Sequence, residues 1–263
     1  MISEAARIQQ RLWGTDPEAW ATHAEAHNRP LFEAVLDAAH IARDTHVLDV
    51  GCGSGLALQL AAERGATTSG IDISHGLLEV AQERIPSADL VLGDMEALPF
   101  DDASFDAVLG INSFQFAGDP RRALRDATRV LAPSGRLVAS LFAAPERSQG
   151  TVVHEAMSRL VPTAQHDDHA PYALSAPGGL EAALVDAGLR VVDEGEVICA
   201  WRYASMDDAL TGILCSAGGA RAREAAGEAA ARATVHDALA QFEDSATGVV
   251  ELRNTFRWVA ACR

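Results

Sequence analysis

The sequence predicts an α/β fold: a seven-stranded, mostly parallel sheet with helices on both faces and an antiparallel last strand. The first sign is an alternation between residues 46 and 142, where five short apolar, β-branched runs are separated by helical patterns, as in parallel βαβ units. The second sign is a pair of long, partly alternating runs after residue 188. These runs indicate a closing antiparallel hairpin with a large insert.

The individual elements follow from the apolar period and from residues that start helices. Helices are predicted at 3–13 and 17–40, because Pro17 and Pro30 suit the first turn of a helix. Strands are predicted at 46–50, 67–71, 88–92, 105–111, 135–142, 189–203 and 249–262. Further helices are predicted at 54–64, 74–84, 120–131 and 178–187, with two more on either side of Gly227.

Charge and composition exclude several classes of protein. The net charge of −16 would repel nucleic-acid phosphates and anionic membranes, so neither is an expected partner. No apolar run approaches the roughly 18 residues of a membrane span, and the N-terminus lacks the apolar region of a secretory signal. The four cysteines form no CxxC pair, so we expect free thiols and a cytoplasmic location.

The strongest motif is the glycine loop at 49–55, which reads Asp-Val-Gly-Cys-Gly-Ser-Gly and follows the first strand directly. A dinucleotide site would need a glycine at position 56, where this chain has Leu56. Asp49 would repel a pyrophosphate but would suit a ligand that carries an ammonium group. S-adenosylmethionine has an ammonium, a sulfonium and no phosphate, so the loop favours it over a nicotinamide dinucleotide.

Two more acidic residues follow the next strands. Asp72 closes the second strand, where a carboxylate can accept hydrogen bonds from both hydroxyls of a ribose. Asp94 follows the third strand and can accept a hydrogen bond from an adenine amino group. The amide of Met95 can donate to a ring nitrogen, and its side chain can pack on the purine face.

Together these motifs resemble the class I S-adenosylmethionine-dependent methyltransferases, especially the ubiquinone/menaquinone-biosynthesis-like branch that acts on small molecules. VLDVGCGSG, GIDIS and GDMEALPF match the three binding motifs in order and spacing, and FDAVLGINSFQF and RVLAPSGRLVASLF match the fourth and fifth strands. The resemblance is strong over about residues 17–145 and looser beyond. It implies a Rossmann-like fold with an N-terminal helical cap and a C-terminal helical lid, S-adenosylmethionine as cofactor and S-adenosylhomocysteine as product.

The resemblance also implies one methyltransferase domain over residues 1–263. Its expected parts are a helical cap at 1–40, a cofactor-binding core at 41–145, substrate-covering inserts at 146–177 and 204–242, and a closing strand at 247–263. The expected acceptor is a mid-sized, partly apolar small molecule of secondary metabolism, and a homodimer is left open as a further partner.

The cofactor residues are taken over position by position from the motifs. The expected set comprises Trp20 and Arg29 from the cap, Asp49, Gly51, Cys52 and Gly53 for the methionyl part, Asp72 and Ile73 for the ribose, Asp94 and Met95 for the adenine, and Asn112 beside the sulfonium. In this set Arg29 would pair with the cofactor carboxylate, or else be a solvated arginine on the helix surface. For Cys52, a structural role in the loop is favoured over a role as a nucleophile.

The sequence identifies a catalytic base less sharply. His23 and His27 lie one turn apart on a predicted helix face and are the first candidates, with Asn112 as a further catalytic residue and His154 among the other histidines. A metal is not expected, because the histidines and aspartates at 166–169 lie in a proline-bounded loop without a ligand framework. Two other functions stay open: a non-methylating enzyme such as a cyclase on the same scaffold, and a nicotinamide dehydrogenase.

Overall fold

The computed structural model describes residues 3–162 and 174–263, and one sheet of seven strands forms their centre. The strands are β1 (His46–Val50), β2 (Thr67–Asp72), β3 (Asp89–Leu92), β4 (Phe105–Ile111), β5 (Leu131–Phe142), β6 (Arg190–Tyr203) and β7 (Val250–Cys262). The helices are α1 (Glu4–Trp13), α2 (Pro17–Ala19), α3 (Arg29–Ala38), α4 (Leu56–Glu63), α5 (His75–Arg84), α6 (Pro120–Val130), α7 (Gly150–Ser158), α8 (Gly179–Asp186), α9 (Met206–Leu214), α10 (Ala217–Ala226) and α11 (Glu228–Leu239).

The sheet topology confirms the predicted fold class. The strand order is β3-β2-β1-β4-β5-β7-β6, the first five strands pair in parallel, and β7 lies antiparallel between β5 and β6. The chain reverses its direction of strand addition between β1 and β4. Open α/β sheets bind ligands at such a switch point, beyond the carboxyl ends of the strands.

Two apolar clusters pack against the two faces of the sheet and make it a rigid platform. Neighbouring residues of β1 alternate between them: Leu48 and Val50 belong to one cluster, and Val47 belongs to the other. Helices α6 and α8 contribute to the first cluster, and α3 and α4 contribute to the second. Because both faces are covered, the central parallel strands β1 and β4 are largely apolar, and the loops at their carboxyl ends are held in place.

The helix predicted over 17–40 is wrong in its middle. Helix α2 ends at Ala19, a π-helical turn follows over Trp20–Ala24, and a 3₁₀ turn over Glu25–Asn28 leads into α3. Pro30 explains the interruption: its nitrogen carries no hydrogen, so it fits the first turn of a new helix and not the interior of a continuous one. The irregular segment carries both Trp20 and Glu25.

Helices α7 and α9–α11 form a third apolar cluster on β6 and β7. Helices α10 and α11 are separated at Gly227, whose φ of +84° breaks the helix where the sequence predicted a break. Within the described ranges, no helix is long and apolar enough to cross a membrane. The division of the chain into cap, core, inserts and closing strand stays a prediction.

Candidate functional site

The glycine loop after β1 is held tightly by its own backbone. The amides of Gly51 and Cys52 both donate to the carbonyl of Ile71, at 2.8 and 3.1 Å. Gly51 has a φ of +78°, and a Cβ at this position would stand 2.5 Å from the Cβ of Ser113. Only glycine fits there, and the loop therefore lies directly against the segment that follows β4.

Asp49, at the end of β1, is a buried acid without a partner. The residue is 2% exposed, and its Oδ1 has no hydrogen-bond partner in the described part of the chain. Burial, followed by the charges of Asp72 and Glu25, raises the pKa of Asp49 to about 8. A carboxyl group left unpaired in this way is costly unless a cationic ligand completes it.

Asp72 closes β2 and already bonds the loop. One carboxylate oxygen accepts from the amide of Gly53 at 2.9 Å, and the other accepts from the amide of Ser74 at 2.8 Å. Burial raises the pKa of Asp72, and these backbone hydrogen bonds oppose the rise. A carboxylate has about four acceptor positions, so Asp72 can hold the loop and still accept from ribose hydroxyls.

The residues predicted for the adenine lie beside the same loop. The terminal carbon of Met95 is 3.7 Å from the position of a Cβ at Gly51. Asp94 accepts from the amide of Glu96 at 3.0 Å through Oδ1, while its Oδ2 accepts from the amide and hydroxyl of Ser3 at 3.4 and 3.3 Å. The start of α1 therefore closes over Asp94. Ile73, half-buried, follows Asp72 directly.

Asn112 occupies a strained position after β4. Its φ is +51°, an unusual conformation for a residue other than glycine, although asparagine tolerates it better than most. Its amide donates to Ser140, while its own Oδ1 and the hydroxyl of the neighbouring Ser113 are buried without partners. Unpaired polar atoms on a strained turn are typical of a ligand site.

The cap closes this edge of the sheet with aromatic side chains. The indole nitrogen of Trp20 is 3.8 Å from the position of a Cβ at Gly53. The Trp20 ring packs edge-on against Trp13 at 4.9 Å between centroids, and Trp13 packs against Phe116 at 5.7 Å. Trp20 thus lies directly over the glycine loop.

A small apolar cavity begins on the other side of Trp20. It has a volume of about 40 Å³ and lies between the cap, α7, β6 and α9. Its lining residues are Trp20, Ala24, Asn28, Gly150, Val153, His154, Met157, Trp201, Tyr203, Gly212, Ile213 and Ser216. Its position beside the loop makes it the candidate acceptor pocket.

His154 is the histidine among the residues that line this cavity. Its ring packs edge-on against Phe142 at 5.8 Å between centroids, and within the described residues it has no hydrogen-bond partner. The residue is exposed, yet the protein packed around its ring lowers the pKa of His154 by desolvation. It is therefore neutral near pH 7 and free to accept a proton.

Other predicted residues lie apart from the open edge. Arg29 pairs with Glu33 on the exposed side of α3 at 2.8 Å. His27 bonds the carbonyl of Arg202 at 2.9 Å and packs on Tyr203, while half-buried His23 has its carbonyl against Gly212. The thiol of Cys52 is buried in an apolar cluster.

Two residues of the site had no signal in the sequence. Glu25 is 3% exposed and accepts from the amide of Leu56 at the start of α4. Its partner is Arg84, which also donates to the carbonyl of Ser54 at 2.7 Å. Neither residue belongs to a motif, and only the folded cap brings them together.

These observations fit S-adenosylmethionine. An unpaired carboxylate at Asp49 suits its ammonium group, Asp72 suits its ribose, and the acidic residues at the loop would repel a pyrophosphate. A metal site is not found: the described residues contain no group of three or more His, Cys, Asp or Glu side chains that could hold an ion. The residues at 166–169 lie outside the described part of the chain.

Comparison with known proteins finds a family model that matches part of the chain. Residues 48–139 match the family model described as a methyltransferase domain. This part of the chain is therefore similar to a methyltransferase domain. The match covers the glycine loop, β2, β3 and β4, which are the segments predicted from the sequence to bind S-adenosylmethionine.

Individual relatives agree with the methyltransferase domain. The demethylmenaquinone methyltransferase of Renibacterium salmoninarum is 36% identical over 129 residues, 49% of this chain and 54% of the relative. The ubiquinone biosynthesis O-methyltransferase of Coxiella burnetii is 30% identical over 158 residues, 56% of this chain and 64% of the relative. The chain thus spans about half to two thirds of the length of these relatives.

A solved structure, the [4+2]-cyclase SpnF, has the same fold. It is 19% identical, with a TM-score of 0.60, and the alignment covers 97% of each chain. At this identity the likeness shows the fold alone.

Proposed function

We propose that this chain transfers a methyl group from S-adenosylmethionine to a mid-sized, partly apolar small molecule of secondary metabolism. The observation that carries the proposal is the unpaired, buried carboxylate of Asp49, which stands at a glycine loop separated from an apolar cavity by Trp20. An ammonium-bearing cofactor on one side and an apolar acceptor on the other would meet at this boundary.

The residues that would hold the cofactor lie on three neighbouring strand ends. Asp49 would accept from the ammonium group, Asp72 from the ribose hydroxyls and Asp94 from the adenine amino group, with Met95 packed on the purine. When bound, S-adenosylmethionine supplies an electrophilic methyl group on a positively charged sulfur. The protein mainly orients the acceptor, an effect worth roughly 7–11 kcal/mol in well-placed reactions.

The lining of the cavity suits an apolar part of the acceptor, although its volume of about 40 Å³ is too small to enclose a mid-sized molecule. Its wall is formed largely by tryptophan, valine, methionine and isoleucine side chains, with Asn28, His154, Tyr203 and Ser216 as the polar groups. The hydrogen bond from the Trp201 indole to Asn28, at 3.0 Å, keeps the amide oxygen engaged. The similarity to a demethylmenaquinone methyltransferase and to a ubiquinone biosynthesis O-methyltransferase is consistent with such a ligand.

We propose that His154 takes the proton from a hydroxyl group of the molecule that is methylated. Because the protein packed around its ring lowers the pKa of His154, its imidazole is neutral at pH 7 and can take the proton as the oxygen is methylated. We expect His154→Gln to lower kcat about 100-fold while leaving S-adenosylhomocysteine affinity unchanged. A variant with wild-type kcat across pH 5–9 would exclude this role.

The proposed function is tested by incubating the protein with methyl-labelled S-adenosylmethionine and a panel of prenylated quinols and phenols. Mass spectrometry should find one labelled methyl group on an acceptor and an equal amount of S-adenosylhomocysteine. Conversion of a compound without any S-adenosylhomocysteine would instead support a non-methylating enzyme such as a cyclase.

A further inference from the structure

Glu25 is a buried acid that joins the helical cap to the glycine loop. It begins the 3₁₀ turn Glu25–Asn28 and is 3% exposed. Its Oε1 accepts a hydrogen bond from the amide of Leu56 at 3.3 Å and lies 4.0 Å from the position of a Cβ at Gly53. Through this one side chain, the cap reaches both the loop and the first turn of α4, whose positive end favours a carboxylate.

A buried ion pair strengthens this connection. The Oε2 of Glu25 pairs with Arg84, the last residue of α5, and the same guanidinium nitrogen donates to the carbonyl of Ser54 at 2.7 Å. The two side chains are 4% and 20% exposed. Breaking such a pair by removing one partner leaves an uncompensated charge in the interior, so the pair holds the cap, the loop and α5 together.

Burying the charge of Glu25 beside the glycine loop costs free energy that an apolar residue packed at the same position would not cost. Its charge adds to that of Asp72 in raising the pKa of Asp49, so the loop carries acids that repel one another. Trp20, five positions earlier on the same irregular segment, stands over Gly53 and also lines the cavity. The contacts that hold Glu25 on the glycine loop therefore also hold Trp20 above that loop.

We propose that Glu25 is a positioning residue for the cofactor: through Leu56 and Arg84 it fastens the cap over the glycine loop and holds Trp20 between the cofactor and the cavity. The proposal rests on the proposed function, because it takes the glycine loop as the S-adenosylmethionine site. Glu25 acts through the loop and the cap and does not touch the methyl acceptor.

The test compares Glu25→Ala and Glu25→Gln with the wild type by calorimetric titration with S-adenosylhomocysteine. We expect the alanine variant to bind about 10- to 100-fold more weakly. The glutamine variant should lose less, because its amide oxygen still accepts from Leu56. Hydrogen exchange should show that S-adenosylhomocysteine protects residues 17–28 in the wild type and no longer does so in the alanine variant.

Asp186→Asn is the matched control, since it breaks the exposed ion pair with Arg121 far from the loop and should change neither readout. If the alanine variant does not fold, the glutamine variant and Arg84→Met carry the test. Folded Glu25 variants that keep wild-type affinity and wild-type protection of 17–28 would overturn the proposal and leave the proposed function standing. A wild-type protein that does not bind S-adenosylhomocysteine would overturn both.

Discussion

Asp49→Asn is expected to weaken S-adenosylmethionine binding and to stabilise the protein without ligand. The loss of a charge-assisted hydrogen bond to the ammonium group is worth roughly 1.5–3 kcal/mol, or about 10- to 150-fold in affinity. The gain in stability arises because the buried carboxylate has no partner and its charge is repelled by Asp72 and Glu25. Calorimetry gives the first quantity and urea unfolding gives the second.

The stability difference at Asp49 depends on pH with a defined sign. Its pKa is about 8 in the folded protein against 3.8 for the ordinary group, so the folded protein retains a proton that the unfolded chain releases. Wild-type stability therefore falls as pH rises from about 4 to 8, and the asparagine variant lacks this loss. The advantage of the variant should grow by about 1.4 kcal/mol per pH unit over this window and level off above pH 8. Parallel stability curves for the two proteins between pH 5 and 8 would contradict the assignment.

Asp72→Ala is expected to lower both cofactor affinity and stability. Loss of the bonds to the ribose hydroxyls should weaken binding about 10- to 150-fold, from roughly 1.5–3 kcal/mol of charge-assisted hydrogen bonding. Asp72 also accepts from the amides of Gly53 and Ser74, so the variant leaves two backbone donors without this partner. We expect a further loss of about 1–3 kcal/mol in the free energy of unfolding.

Asp72→Asn is the control for this prediction, because its amide oxygen can keep one of the two backbone bonds. It should lie between alanine and the wild type in both measurements. S-adenosylhomocysteine titration of a folded Asp72→Ala protein with unchanged affinity would remove the ribose assignment, whatever the change in melting temperature.

The sheet and the cofactor loops were predictable because their signals are local. A buried parallel strand shows as a short apolar run, and the turn after it shows as glycine and aspartate, so Asp49, Gly51 and Asp72 could be placed from sequence alone. Their partnerships were less evident. No pattern indicates that Asp72 would bond the amide of Gly53, since that contact joins two loops from different strands.

The cap was harder to predict, because its contacts are long-range. Glu25 meets Arg84 across 59 positions of the sequence. The helical period that suggested a continuous helix also placed His23 and His27 together on one face, but Pro30 forces the segment to restart and the tertiary contacts turn His27 onto β6. Arg29 has the positive charge that would suit the cofactor carboxylate. In the structure it instead forms an ion pair with Glu33 on the surface of the same helix.

The most direct test of the central claim is a pair of calorimetric titrations of the wild-type protein, one with S-adenosylhomocysteine and one with NADH. The unpaired carboxylate of Asp49 and the side chain of Leu56 in place of a third phosphate-loop glycine predict saturable binding of S-adenosylhomocysteine at one site and no binding of NADH. Tight binding of NADH without binding of S-adenosylhomocysteine would contradict the account.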